Sequence, residues 1–328
     1  MTVIACSPSG YFHGRMQRPG FSCAAVTGAG ALFTWGLNKC GQLLQTPTAL
    51  GEAPRMVPRP RKTEQFDGSW RKDRVVNVAV GLDYIIVNAL TASTNGADGG
   101  TGAREGGVRR ESVVYTCGRF CYPRDLHELH EWPELRGVPL RQVAAGSFHA
   151  VAVTTRGELY TWGDQQGRDS SNGNLLGHGV PVDVEETNPN CTRPRRIVEQ
   201  GLGPVAEVAC STYVTVATTV DGRVFTWGDS DGNALGHTRM ACHRPTWISA
   251  LRGQHMTHAS VSYTNGAVAS DQGRCYVWGG NYWEGGIAGG RNSTGPTEVV
   301  WGGVPSCYRC AQVALAYQHG YLIFRKQP

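Results

Sequence analysis

Short apolar runs broken by glycine-rich and polar turns follow one another along the whole chain, the pattern of an all-β protein. One run recurs: a Gly or polar turn, an apolar residue, an aromatic, Thr or Val, Trp, then Gly. It reads Ala31-Leu32-Phe33-Thr34-Trp35-Gly36, Gly157-Glu158-Leu159-Tyr160-Thr161-Trp162-Gly163, Gly222-Arg223-Val224-Phe225-Thr226-Trp227-Gly228 and Gly273-Arg274-Cys275-Tyr276-Val277-Trp278-Gly279. A fifth copy, Val113-Val114-Tyr115-Thr116-Cys117-Gly118, puts Cys117 where Trp stands elsewhere. The alternation places the large rings on one face of a strand, where they can pack against an adjacent sheet. The Gly after Trp lets the chain leave the strand at a tight bend.

A second element precedes each copy. Its members are Ser22–Thr27, Asp83–Val87, Phe148–Val153, Thr212–Val216, Thr264–Val268 and, without a following Trp, Gln318–Ile323. From its polar or aromatic residue to the Trp the interval is 12 (23 to 35), 13 (149 to 162), 14 (213 to 227) and 13 (265 to 278). The exception, 33 (84 to 117), contains the Gly-rich insert Thr91–Arg110. Turns such as Thr155-Arg156-Gly157 and Val220-Asp221-Gly222 join the two elements as β-hairpins. A third element of apolar and small residues is read as ending each unit: Val75–Gly81, Arg141–Gly146, Val205–Cys210, Met256–Val261 and Cys310–Ala316. One such unit cannot bury both its faces, so the copies must stack, and radial stacking of small antiparallel sheets leaves only short edges. The predicted fold is an all-β propeller.

The Trp-Gly motif followed by Asn or Asp, Gly and Leu-Gly-His resembles the repeat of the regulator of chromosome condensation family. Trp35-Gly36-Leu37-Asn38-Lys39-Cys40-Gly41-Gln42-Leu43-Leu44 nearly spells that signature. Trp227–His237 and Trp162-Gly163-Asp164 with Leu176-Gly177-His178 are similar. The likeness runs from about Gly20 to Phe324, with residues 1–19 as an N-terminal segment and 20–328 as the propeller. Seven blades are usual in that family, whereas five complete units and one extra strand at Gln318–Phe324 are counted here. Either there are five or six blades, or a sixth and seventh are degenerate, or the ring is open. Ile4-Ala5-Cys6-Ser7 resembles Val208-Ala209-Cys210-Ser211, so the N-terminus is expected to supply a strand that closes the ring against the C-terminal segment.

Composition narrows the function classes. Gly numbers 44, charged residues are 17% and apolar residues 40%, so the chain folds rather than remaining disordered. The net charge of +5 is modest. Its densest basic stretch, Arg55–Arg74, is interrupted by Glu64 and Asp73 and is read as a solvated loop rather than a nucleic-acid contact. Eleven cysteines, an odd number with several inside strands, point to a reducing intracellular compartment. The cytoplasm, cytoskeleton or cilium is favoured, with the nucleus and mitochondrion as alternatives. No apolar stretch spans a membrane and no secretory signal opens the chain.

Catalytic and metal chemistry is sought and not found. Thr91–Gly107 lacks the Gly-Lys-Ser/Thr ending of a phosphate loop. His127-Glu128-Leu129-His130 spaces its histidines three apart, where a zinc protease helix needs four. Cys307 and Cys310 form a lone pair, for which Cys117 and Cys121 would have to complete a zinc site. His149 and His319 share a column with Tyr, Asn and Cys, which suits a hydrogen-bonding strand position rather than catalysis. His178 and His237 follow Leu-Gly and are expected to buttress a turn.

The expectation is therefore a non-catalytic scaffold propeller without cofactor or metal, binding protein partners in a larger cytoskeletal, axonemal or organellar assembly. Its contacts are expected on the insertions Thr91–Arg110, Tyr122–Leu135 and Arg168–Arg195, because functional contacts concentrate on loops carried by rigid scaffolds. Candidate contact residues are His127, His130, Trp132, Tyr282 and Trp283, whose aromatic members have inter-blade packing as an equal alternative. The resemblance also implies a second class, guanine-nucleotide exchange on a small GTPase. Such an exchanger holds the nucleotide-free GTPase with a complementary face rather than with catalytic side chains.

Overall fold

The computed structural model describes residues 3–6, 21–45, 56–66, 73–92, 103–105, 108–121, 124–163, 175–179, 193–230, 232–280, 293–300, 308–315 and 320–326. Only the backbone is described for residues 3, 4, 103–105, 108, 109, 121 and 124–128. Antiparallel strands build a series of sheets in chain order. The first is β1 (Val3–Cys6), β2 (Ser22–Val26), β3 (Leu32–Leu37) and β4 (Met56–Lys62). The second is β5 (Arg74–Val80), β6 (Tyr84–Ala92), β8 (Val108–Cys121) and β9 (Arg124–Glu131), with the short β7 (Ala103–Glu105) added to β8. The third is β10 (Leu140–Ala145), β11 (His149–Thr154), β12 (Leu159–Gly163) and β13 (Arg195–Arg196). The fourth is β14 (Val205–Cys210), β15 (Val214–Thr219), β16 (Val224–Asp229) and β17 (Ala241–Trp247). The fifth is β18 (Met256–Val261), β19 (Asn265–Ser270), β20 (Cys275–Gly279) and β21 (Ser293–Glu298). Among the described residues the sixth holds two strands, β22 (Tyr308–Leu315) and β23 (Gly320–Lys326).

These sheets are the blades of a β-propeller, and the first strand of each packs against the blade beside it. The phase of the repeat differs from the sequence reading. The apolar runs taken to close each unit instead open one, as β5, β10, β14, β18 and β22. The reason is local: turns as short as Gly81–Asp83 fold each run straight back onto the strand that follows it. The N-terminal segment does supply the equivalent strand, β1, which pairs with β2 in a register of Val3 with Val26 through Cys6 with Cys23. It thus fills the first position of its own blade, and among the described residues it does not pair with the C-terminal hairpin.

Strand register also regularises the spacing. Ser22, Tyr84, His149, Val214 and Asn265 each pair with the Gly of the following Trp motif. In the four copies that keep Trp the interval from this column to the ring is thirteen residues. In the first, second and fourth blades the strand runs on past that Gly. It bulges there, with a register shift against the outer strand between Thr226 and Gly228 in the fourth blade. Gly228 has φ 109°, and a Cβ on it would meet the Tyr213 carbonyl oxygen at 2.0 Å, so only glycine fits.

The apolar core lies between blades rather than within any one of them. One cluster joins Ala24, Val26 and Leu32 of the first blade to Val78, Val80 and Ile85 of the second. A second joins Ile86, Val114 and Phe120 to Val143, Ala152 and Trp162. The largest runs through the third, fourth and fifth blades and contains Trp227 and Trp278. A small one joins Ala267, Cys275 and Val277 to Cys310 and Val313 of the sixth. Trp162, Trp227 and Trp278 each face the blade before their own: Trp278 donates its Nε1 hydrogen to the Ala234 carbonyl of the fourth blade at 2.8 Å.

The insertion expected over Tyr122–Leu135 is a correction. Arg124–Glu131 forms β9, which completes the second blade on the outer edge of β8, and a single 3-10 turn follows at Pro133–Leu135. Its run Arg-Asp-Leu-His-Glu-Leu-His-Glu has only Leu126 and Leu129 as apolar residues, a composition that reads as a loop in sequence. The insert near Thr91–Arg110 lengthens the β6–β8 hairpin, with Thr91 opposite Glu111 and Ala92 opposite Arg110. Of Arg168–Arg195, residues 168–174 and 180–192 lie outside the described residues.

Candidate protein-contact surface

A binding surface on a propeller needs a rigid frame, and the inner strands provide one through polar residues. After a bulge in the inner strands of the second to sixth blades comes Asn77, Gln142, Glu207, His258 or Gln312. Gln142 donates from Nε2 to the Val208 carbonyl at 2.8 Å and accepts from the Val208 amide at 3.0 Å. Glu207 repeats the device one blade on, accepting from the Ala259 amide at 3.1 Å. Its other oxygen lies 3.3 Å from His258 Nε2. Burial pushes the Glu207 carboxyl up to about 7 and holds His258 below its usual value. These side chains stitch one blade's inner strand to the next, using backbone groups that would otherwise lack partners.

The hairpin turns add a second set of ties. An amide at or near the start of four of the following inner strands donates to a turn glycine's carbonyl: Val75 to Gly30, Val205 to Gly157, Met256 to Gly222 and Cys310 to Gly273, at 2.9–3.2 Å. Within the blades, the Thr of the Trp motif organises the loop beyond it. Thr161 donates to the Leu176 carbonyl at 2.7 Å and lies 2.9 Å from His178 Nε2. Thr226 does the same with Leu235 at 2.7 Å and His237 at 3.2 Å. With its one proton committed to the carbonyl, each hydroxyl accepts from the imidazole, so the histidines buttress the Leu-Gly-His turn. Gln45 takes the same place in the first blade, donating to Thr34 at 2.7 Å.

Alternation of strand direction puts the β10–β11, β14–β15 and β18–β19 turns on one face of the frame, the face where β12, β16 and β20 also end. Three of those turns carry an aromatic row. Phe148 and Tyr213 stack with ring centres 5.7 Å apart and planes at 19°, and Tyr263 lies 6.1 Å beyond Tyr213. All three rings are half-buried. Buried polar groups hold the turns beneath them. Tyr84 directs its hydroxyl to the Gly146 and His149 carbonyls at 2.9 and 2.6 Å. His149 is fully buried, with Nε2 at 2.8 Å from Thr215 Oγ1 of the next blade, and burial lowers it to about 4. It is a neutral hydrogen-bonding strand residue.

The five residues named from sequence fall in three places. Trp132 is a correction: it is buried at 6% exposure, donates from Nε1 to Thr116 Oγ1 at 2.8 Å, and meets Phe120 and Trp162 edge-on. Its ring fills the interface between the second and third blades, which is the packing alternative. His130 is half-buried with its ring 4.7 Å from Trp132. His127 lies in β9, where only the backbone is described, and Tyr282 and Trp283 lie outside the described residues. Among the described residues, no group of three His, Cys, Asp or Glu side chains is placed to hold a metal ion, and no helix is long and apolar enough to cross a membrane. The row Phe148, Tyr213, Tyr263 was missed as a surface from sequence, although an aromatic after Ser or Thr at the start of the second element, or just before it, was its signal.

Family models decide the identity. The regulator of chromosome condensation (RCC1) repeat matches residues 140–167 and again residues 221–268. The chain carries repeats of this family. Over 271 residues it is 26% identical to the human E3 ubiquitin-protein ligase HERC2, covering 78% of this chain and 5% of that protein. It is 25% identical to RUG3, a mitochondrial RCC1 domain-containing protein of Arabidopsis thaliana, over 79% of this chain and 52% of the relative. The RCC1-repeat chain thus spans from one-twentieth to about half the length of these relatives. Its fold is that of yeast RCC1 (Prp20), solved bound to Kap60: TM-score 0.67, 18% identity, covering 93% of this chain and 66% of the other.

Proposed function

We propose that this RCC1-repeat protein is a non-catalytic, protein-binding propeller that acts as a subunit of a larger assembly. The observation that carries the reading is the aromatic row Phe148–Tyr213–Tyr263. Three half-exposed rings, Phe148 stacked on Tyr213 and Tyr263 tilted beside it, are set on short turns tied down by Tyr84, His149 and the interblade hydrogen bonds. Large rings with little conformational freedom are the residues that dominate binding at protein interfaces. A pre-built frame lowers the ordering cost of binding. The likeness to yeast RCC1, a protein solved in complex with Kap60, agrees with a propeller that presents a face to another protein.

The test is affinity capture on the intact chain in two arms, with bound nucleotide retained and with nucleotide stripped by chelation. The proposal expects the same multi-subunit assembly in both arms. Capture of one small GTPase in the stripped arm alone would replace it with nucleotide exchange.

A further inference from the structure

The first blade carries a pair of thiols that neither the repeat nor the binding reading requires. Cys6 on β1 and Cys23 on β2 are direct register partners, and their sulfurs are 2.6 Å apart. Opposed residues of antiparallel strands have Cα atoms about 4.5 or 5.5 Å apart, and both values fall inside the range that a disulfide spans. Joining them therefore needs no movement of the backbone. Cys6 is exposed and Cys23 partly so, which leaves the pair open to a soluble reagent.

Its position gives the pair a consequence. Cys23 is also the register partner of Trp35, so the thiols sit beside the half-buried ring of the first blade. β1 is held in its sheet through β2. Among the described residues it has no second pairing partner, whereas β2 is held on both edges. A bond between the two sulfurs would fasten the inner strand of the first blade at the end where β1 leaves the sheet.

We propose that Cys6 and Cys23 are a reversible dithiol site that low-molecular-weight disulfides of the glutathione type oxidise to an intrablade disulfide. In the first step the Cys6 thiolate attacks one sulfur of oxidised glutathione. A Cys6–glutathione disulfide forms, and one glutathione leaves as thiolate. In the second, Cys23 loses its proton and attacks the Cys6 sulfur, releasing the second glutathione. The two cysteines together give up two protons and two electrons, and oxidised glutathione takes them up as two thiols. The assignment of roles follows exposure and proton sharing: the hydrogen bond from Cys23 lowers Cys6 to about 7 and raises Cys23. Cys275 and Cys310, a second close pair between the fifth and sixth blades, are buried at 2% and 3% exposure. They are shielded from the same reagent.

The experiment is a glutathione redox titration of the full chain, acid-quenched, alkylated and mapped by peptide mass. The expected result is a Cys6–Cys23 crosslinked peptide that disappears in Cys6→Ser, while Cys23→Ser stops at the Cys6–glutathione adduct. Cys275 and Cys310 stay reduced until the protein is denatured. Hydrogen exchange of the native chain supplies the second readout, with β1 amides expected to exchange at least about tenfold more slowly after oxidation. Separate adducts on Cys6 and Cys23 at the most oxidising ratio, or a crosslink to another cysteine, would overturn the proposal. So would unchanged exchange in β1 once the crosslink has formed.

Discussion

The fourth blade and the first carry the same repeat, yet their Trp residues live in different surroundings. Trp227 is completely buried, as are Trp162 and, within a percent, Trp278. Trp35 occupies the same register position and is only half-buried. The difference lies in the neighbour: Trp227 faces the third blade, with Ile197 and Leu202 in its cluster. Among the described residues, no apolar cluster joins the first blade to the sixth. The sixth blade tells the same story from the other side, with Tyr321 63% and Ile323 50% exposed. A Trp motif therefore supplies a ring, and the preceding blade decides how much stability that ring provides.

Truncation breaks the comparison most sharply. Trp227→Ala should lose about 3–5 kcal/mol, because it removes a large buried ring and leaves a cavity between two blades. Trp35→Ala should lose about 1 kcal/mol, since much of its surface is already in water. Urea denaturation followed by circular dichroism measures both. Equal losses would mean that the first blade is as well covered as the fourth.

Acid sharpens the same contrast, since the interior of the stack holds the titratable groups. His149 sits at about 4 when folded against an ordinary value near 6.5. Below pH 6.5 the unfolded chain takes up a proton that the folded chain refuses. The stability from burying neutral imidazole is thus full above pH 6.5 and lost as pH falls to 4, by about 3 kcal/mol. His178, lowered to about 4 by burial first and then by Arg195, acts in the same direction. Glu207, raised to about 7, acts in the opposite one, gaining stability as the pH drops from 7 toward its unfolded value. Comparing wild type with His149→Gln isolates the first effect, and the variant should show a flatter loss between pH 6.5 and 4.

The interblade stitch is the smaller lever. Gln142→Leu keeps the volume but strands the Val208 amide and carbonyl, at a cost of about 1–3 kcal/mol. The same change at the exposed Gln200 should fall within about 0.5 kcal/mol. Thermal melts of the two variants check the difference.

Much of this was legible in the sequence. The Trp-Gly motif and its preceding strand identify a stacked β-repeat because large rings, small turns and period-two alternation recur together. The column of Thr161 and Thr226 with His178 and His237 could be read as a turn support for the same reason. The phase of the repeat could not, because an apolar run such as Val205–Cys210 reads equally well as the end of one blade or the start of the next. Only the pairing of Val208 with Ala217 decides it. Trp132 misled because it follows a polar run, and a polar outer strand has the composition of a loop. Gln142 and Glu207 went unnoticed because a polar residue in an inner strand acquires its partner from a different blade, some 50 to 66 residues away in sequence.

The affinity of the captured partner for the Phe148→Ala, Tyr213→Ala, Tyr263→Ala triple variant, measured by calorimetry, reports whether the rigid aromatic face binds protein. A loss of at least about thirtyfold, roughly 2 kcal/mol, is predicted while the melting temperature stays within a few degrees of wild type. Unchanged affinity in a folded variant would contradict binding through that face.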